Sequence, residues 1–405
     1  MKCRHCETPL QHVFLDLGSM PPSNDYLPSP DATEQSFPLR LFVCDNCWLV
    51  QTEDFSSAGE LFRHDYAYFS STSTTWLAHA KAYADMITKR LKLGKSSFVI
   101  ELASNDGYLL KNFVAAGIPC LGIEPTESTA LAAEKLGIPV LKEFFGEELG
   151  ERVQKADLII GNNVYAHVPD INDFTAGMKA ALKPSGTITL EFPHLMELIR
   201  HNQFDTVYHE HYSYLSLYAV EKIFAKAGLR VLDVEKLPTH GGSLRVYGCH
   251  AADPRPSSAA VAALLAEEKQ AGLQSLDTYR GFQARADKVK NELLAFLTGQ
   301  KKAGKTVAGY GAAAKGNTLL NYAGVKSDLL SFVCDAAPSK QGKFLPGSHI
   351  PILPPSTMAE KKPDVVLILP WNIASEVMQQ QAAVRGWGGK FAVAVPEMKI
   401  MEPAA

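Results

Sequence analysis

The sequence predicts an α/β protein in which two alternating strand–helix domains follow a small cysteine module. Short apolar runs alternate with helical periodicities between Ser97 and Phe192, and again from Thr306 to about Val395. Two Cys-x2-Cys pairs lie ahead of them. At 405 residues the chain exceeds the roughly 250–300 that one core usually supports, so two or three domains are expected. Hydrophobic residues at 46% and charged ones at 20% exclude a disordered chain. A formal net charge of −3 supplies no overall basic field to recruit nucleic acid or an anionic membrane. No apolar run reaches the roughly 18 residues of a membrane span, and the Met1–Cys6 segment lacks the apolar core of a secretion signal. A cytoplasmic enzyme is the expectation.

Residues 1–58 form the cysteine module. Cys3, Cys6, Cys44 and Cys47 offer four soft thiolates, which suit a tetrahedral Zn2+. Four cysteines leave no open coordination position, so such a zinc is structural. Disulfides and redox chemistry are the weaker alternatives, because the chain reads as cytosolic and neither pair opens a βαβ unit.

Residues 59–250 form the first α/β domain, beginning with a helix at Trp76–Leu91. Strands are expected at Ser97–Leu102, Pro119–Ile123, Asp157–Gly161 and Gly186–Phe192, with helices between them making the sheet parallel. Leu229–Val234 and Ser243–Cys249 read as a closing antiparallel pair. Residues 251–405 begin with a linker at Ala251–Pro256 and a long helical region at Ser257–Leu297, then form the second α/β domain.

The first strand runs into Glu101-Leu102-Ala103-Ser104-Asn105-Asp106-Gly107, where small residues let backbone approach a ligand. Glu124 ends the next strand, where a carboxylate can accept the hydroxyls of a ribose. Taken alone, this fits NAD or S-adenosylmethionine, or an empty tight turn. Further on, Tyr208-His209-Glu210-His211-Tyr212 packs imidazole, phenol and carboxylate into one stretch, a composition suited to proton transfer near neutral pH. His209-x-His211 is also a metal-ligand spacing. If the block were extended, His209 and His211 would face away from Glu210.

The resemblance becomes specific at three motifs: the Glu101–Gly107 turn, Gly122-Ile123-Glu124-Pro125 and Asn162-Asn163-Val164-Tyr165-Ala166-His167. They look like the S-adenosylmethionine motifs of class I methyltransferases, a Rossmann-like fold. More narrowly, nearly the whole chain resembles the C-methyltransferases that act on nucleotide-linked keto-deoxysugars. The paired cysteines, the stretch Tyr66–Ser71, the segment Phe204–Tyr212, the turn His240–Arg245 and the segment Gly309–Asn317 carry that likeness in order. Ala103 and Asn105 stand where generic methyltransferases often carry glycine, which agrees with the narrower family.

This resemblance implies methylation at C3 of a nucleotide-linked 4-keto-deoxysugar through an enolate. It implies His211 as the leading base, Glu210 to orient or tune it, Tyr208 to donate to the enolate oxygen, and His167 as second base or oxyanion partner. His209 reads as structural. Glu101, Ala103, Ser104, Asn105 and Gly107 would surround the methionine end of the cofactor, with Asn163 at its amino group. Glu124 would take the ribose and Phe144 would cover the adenine. Tyr66, Tyr68, Arg245, Lys315 and Asn317 are the implied substrate contacts.

The C-terminal domain repeats a strand–glycine turn–helix at Thr306–Asn317, followed by the acidic Asp335. Lys315 and neighbouring amides there are expected to hold the substrate's diphosphate. The rival readings are an NAD-dependent nucleotide-sugar oxidoreductase and, more remotely, a zinc-ribbon nucleic-acid methyltransferase.

Overall fold

The computed structural model describes residues 1–53 and 69–401. Strands β1 (His12–Met20), β2 (Phe37–Val43) and β3 (Val50–Thr52) form an antiparallel meander. One cysteine knuckle precedes β1 and the other connects β2 to β3, and the two have the same geometry. Glu7 N–H donates to Cys3 O and Trp48 N–H to Cys44 O, each at 2.9 Å, with Glu7 and Trp48 both at positive φ.

The middle sheet contains β4 (Val99–Leu102), β5 (Cys120–Ile123), β6 (Val140–Leu141), β7 (Ala156–Asn162) and β8 (Leu182–Pro193). The two-residue β9 (Ser213–Tyr214) leaves this domain and pairs with β3, completing the N-terminal sheet. After it come β10 (Leu229–Leu237) and β11 (Ser243–His250). The order is β10-β11-β8-β7-β4-β5-β6, parallel except for β11, which runs antiparallel to both neighbours. Strand β4 is buried along its whole length, as expected for a central strand covered by helices on both faces. This is the Rossmann-like methyltransferase arrangement expected from the motifs. It places the C-terminal ends of β4, β5, β7 and β8 along one sheet edge, where open α/β sheets bind ligands.

The expected long helical region is three helices: Ala259–Gln270, Leu276–Arg280 and Phe282–Lys302. Gly272, at φ 82°, and Gly281 lie at the breaks. The last sheet holds β12 (Val307–Tyr310), β13 (Val333–Cys334), β14 (Ile352–Leu353), β15 (Val365–Ile368), β16 (Lys390–Val393) and β17 (Lys399–Met401). Its order is β14-β13-β12-β15-β16-β17, with only the β16–β17 pair antiparallel.

One apolar core runs through all three parts. It joins Phe14, Leu41 and Val50 to Phe204, Val207 and Tyr214, and to Leu293, Leu320 and Val333. Phe14 stacks on Phe282 at 4.7 Å and meets the Tyr279 edge at 5.3 Å. The segment leading into the Tyr208–Tyr212 block is therefore anchored where the three sheets meet. Among the described residues, no helix is long and apolar enough to cross a membrane.

Candidate active site

The four predicted cysteine ligands come together. The sulfurs of Cys3, Cys6, Cys44 and Cys47 lie within 4.8 Å of one another. A tetrahedral zinc with bonds of about 2.3 Å holds its sulfurs about 3.8 Å apart, so the donor set fits that ion. Gln51 in β3 donates to Cys3 Sγ at 3.2 Å and accepts from Arg4 N–H at 2.9 Å. Strand β3 also reaches the block: Thr52 N–H donates to Tyr212 O at 3.2 Å, and Thr52 Oγ1 to His211 O at 3.3 Å. The metal module thus abuts the proton-handling segment.

The turn after β4 is strongly curved, with Ala103 at φ 53°, Asn105 at 50° and Gly107 at 77°. Glycine is favoured at 107 by its positive φ, and a Cβ there would also lie 3.3 Å from Ala133 Cα. Glu124 is held by N–H groups of Asn105 at 2.9 Å and Thr126 at 2.8 Å. Ser70 and Ser71 close over the turn, donating N–H to Asn105 Oδ1 and Asp106 Oδ2. Buried polar atoms gather here without hydrogen-bond partners: Glu101 Oε2, Ser104 Oγ, Asp106 Oδ1 and both amide atoms of Asn162. Buried polar groups are ordinarily satisfied, so this set points to a polar ligand. Burial holds the Glu101 carboxyl well above the ordinary range, and an ammonium from a ligand would restore its charged form. The arrangement fits the amino-acid end of S-adenosylmethionine. Phe144, 56% exposed, lies beyond β6.

Asn163 was expected at that amino group. Its side chain instead meets His240 Nε2 at 3.3 Å, and Asn162 beside it carries the unpartnered amide. His240, at φ 55°, lies 5.4 Å from the Trp76 ring. Trp76 stacks on His79 at 4.9 Å, and His79 Nε2 pairs with Glu191 at 2.9 Å.

The Tyr208–Tyr212 block is a turn, closed by His211 N–H to Tyr208 O at 3.0 Å. The alternation of an extended strand therefore does not apply. Tyr208 and His211 share a face, with ring centroids 4.0 Å apart, and His167 meets His211 edge-on at 4.5 Å. His209 turns to the Phe37 carbonyl at 3.3 Å. The orienting role expected of Glu210 falls to another group. His211 Nδ1 lies 3.2 Å from Thr206 O, and a carbonyl only accepts, so Nδ1 carries the proton and Nε2 keeps its lone pair. Burial holds His211 well below its ordinary value, helped by His167, and burial lowers His167 to about 4. Both rings are neutral at pH 7.

Glu210 Oε2 instead accepts from Asn24 at 2.7 Å, and burial pushes its carboxyl up to about 7. The native state then retains a proton that the unfolded chain releases near the ordinary value of 4.5. Its contribution is fully present below that pH and is lost as pH rises towards 7. The full loss is about 3 kcal/mol. Glu210→Gln keeps an acceptor for Asn24 and is expected to flatten the urea-denaturation stability profile in that window. An unchanged slope would place Glu210 ionisation at its ordinary value.

Two expected substrate contacts are corrected. Arg245 is buried in a cross-strand charge ladder: it donates to Glu191 at 2.8 Å from Nε and to Glu235 at 2.9 Å from Nη1. Its fork is committed to these two carboxylates. Asn317 is 1% exposed, and its amide donates to Ser23 O at 2.6 Å, tying the N-terminal loop to the C-terminal domain. Tyr66 and Tyr68 lie outside the described residues.

The C-terminal glycine turn is covered by the chain itself. Tyr26 from the N-terminal loop donates to Ala312 O at 2.6 Å, and Lys340 sits 3.7 Å from Asp335, which accepts from Ala312 N–H at 2.7 Å. The Ala312 carbonyl thus accepts from both Tyr26 and Lys340. Lys315 has partners within the chain. Its Nζ donates to Asn372 Oδ1 at 2.7 Å and lies 4.8 Å from the Trp371 ring.

The sheet order, the curved turn with its unpartnered polar atoms and the adjoining histidines define a methyltransferase. The chain belongs to the C-methyltransferase family. A family model described as a methyltransferase domain matches residues 76–234, and one described as a C-methyltransferase C-terminal domain matches 238–396. A zinc binding domain model matches residues 3–62. The C-methyltransferase NovU of Streptomyces niveus is 36% identical over 406 residues, covering 99% of this chain and 96% of that protein. Among solved structures, magnesium protoporphyrin IX methyltransferase from Synechocystis PCC 6803 is 14% identical, covers 44% of this chain and 81% of its own, and has a TM-score of 0.34. An S-adenosylmethionine-dependent methyltransferase from Clostridium acetobutylicum ATCC 824 gives 11%, 43%, 92% and 0.35.

Proposed function

We propose that this C-methyltransferase acts on C3 of a nucleotide-linked 4-keto-deoxysugar through an enolate. The observation that carries the reading is the His211 imidazole. It is neutral, its Nδ1–H is engaged by Thr206 O, and its Nε2 lone pair is left for a substrate proton. S-adenosylmethionine, when bound, supplies an electrophilic methyl group.

The proton on a carbon next to a carbonyl is acidified by it, so a positioned neutral base suffices to remove it. His211 Nε2 takes that proton, and the phenol of Tyr208, whose ring lies beside it, donates to the developing oxyanion. His167 borders the same point and supplies a second base or oxyanion donor. Glu101, Ala103, Ser104, Asn105, Gly107 and Asn162 hold the methionine end of the cofactor, Glu124 the ribose and Phe144 the adenine. Tyr66 or Tyr68 supplies a further substrate or cofactor contact. The charge balance favours a small-molecule substrate over nucleic acid, and thiolate zinc ligands suit the reducing cytoplasm.

Incubation with isotopically labelled S-adenosylmethionine and a panel of nucleotide-linked keto-sugars tests this. The expected product carries the label on carbon, read as a new quaternary or branched carbon by 13C NMR. Label found only on a hydroxyl, or on RNA, would contradict it.

A further inference from the structure

We propose that Lys315 is a catalytic residue of the C-terminal domain, whose ammonium faces the keto oxygen of the bound sugar and stabilises the negative charge formed there. This rests on the function proposed above and moves Lys315 from the diphosphate to the reacting end of the substrate.

Lys315 stands in the first turn of the helix Ala314–Ala323, directly after the glycine turn. Its Nζ is fixed by Asn372 at 2.7 Å and by the face of Trp371 at 4.8 Å. Trp371 is fixed in turn, because its Nε1–H donates to Asp205 Oδ2 at 2.7 Å. The ring also abuts the middle domain: a Cβ on Gly241 would lie 2.5 Å from Trp371 Cη2. Gly241 follows His240, which meets Asn163. Lys315 is therefore held at the seam between the two domains, on the side of the histidines.

The same helix grips the catalytic segment from behind. Thr318 Oγ1 donates to Val207 O at 2.8 Å, and Val207 lies between Thr206, which pins His211, and Tyr208. Burial makes both His211 and His240 less basic, and the charge of Lys315 adds to that at each. Asp205 keeps one buried oxygen unpartnered, so it balances the ammonium without neutralising it by a direct bond. An ammonium carries three donors. Asn372 accepts from one, and no other hydrogen-bond partner of Lys315 exists among the described residues.

The step this serves balances without a further reactant. The C3 proton passes to His211 Nε2, the C–H electron pair becomes the C3–C4 double bond, and the carbonyl pair moves onto the oxygen beside Lys315. A preorganised charge at a developing oxyanion contributes about 10²–10³ in rate.

The test compares Lys315→Met, Lys315→Gln and Lys315→Arg with the wild type, following C3 deuterium exchange and methyl transfer on one keto-sugar. Loss of exchange by about 10²–10³ in Lys315→Met, with substrate KM and cofactor affinity little changed, is the expected result. Lys315→Arg, which keeps the charge, is expected to retain far more of the rate. If Lys315→Met loses cofactor affinity through misfolding, Lys315→Gln, which keeps a donor for Asn372, carries the same comparison. Exchange at the wild-type rate overturns the proposal. So does a raised KM with kcat intact, which would return Lys315 to the diphosphate. A wild-type protein that methylates a hydroxyl and never exchanges C3 would instead overturn the underlying function.

Discussion

Changing His211 to asparagine is expected to slow methyl transfer by about 10²–10⁴, the range a positioned general base supplies. Asparagine is the informative replacement because of the Thr206 contact. Its amide N–H can replace Nδ1–H at Thr206 O, now 3.2 Å away, while nothing remains where Nε2 stood. The loss should fall on kcat, with cofactor binding by titration calorimetry unchanged, since the cofactor turn draws on β4, β5 and β7. Single-turnover rates equal to wild type would remove His211 as the base and leave His167, its neighbour at 4.5 Å, as the candidate.

Stripping zinc is expected to have the other large effect. Structural zinc contributes about 10–16 kcal/mol of apparent binding free energy in zinc-finger peptides, which is also folding free energy. Here it would organise the knuckles at Cys3–Cys6 and Cys44–Cys47 and, through Gln51 and Thr52, the backbone of Tyr212 and His211. Chelation should release one zinc per chain and abolish methyl transfer, with cofactor affinity largely retained because the cofactor turn belongs to a different sheet. Cys44→Ser should reproduce this without chelator. Full activity after stoichiometric zinc release would separate the metal module from the catalytic block.

The fold was legible where the chain is locally consistent. Strands β4, β5 and β7 are short, mostly apolar runs, and burial on both faces is the physical reason for that pattern. The four cysteines were legible because thiolate pairs at that spacing have few other uses. Strand β9 was not, since two residues have no periodicity and their partner β3 lies far back in the chain. Motifs named residues without fixing what each side chain touches. Arg245 looked like a substrate ligand until the register placed it opposite both Glu191 and Glu235. Glu210 looked like the partner of His211, yet the partner is a backbone carbonyl, which every residue possesses and no sequence marks. Asn24 and Trp371 carried no signal, because they reach the site only through domain packing, whereas Asp205 lay inside the Phe204–Tyr212 segment without a role assigned to it. Asn162 had one: it adjoins Asn163 at the end of β7, where either amide can face the ligand.

The central claim is that this chain forms a carbon nucleophile on a keto-sugar before methylating it. The most direct measurement is proton NMR of a nucleotide-linked 4-keto-deoxysugar in D2O with the enzyme and S-adenosylhomocysteine, which fills the cofactor site without a methyl to give. The C3 proton signal is expected to disappear with wild type and to persist with His211→Asn. A wild-type enzyme that methylates the sugar yet leaves that signal intact, with every label on oxygen, would contradict it.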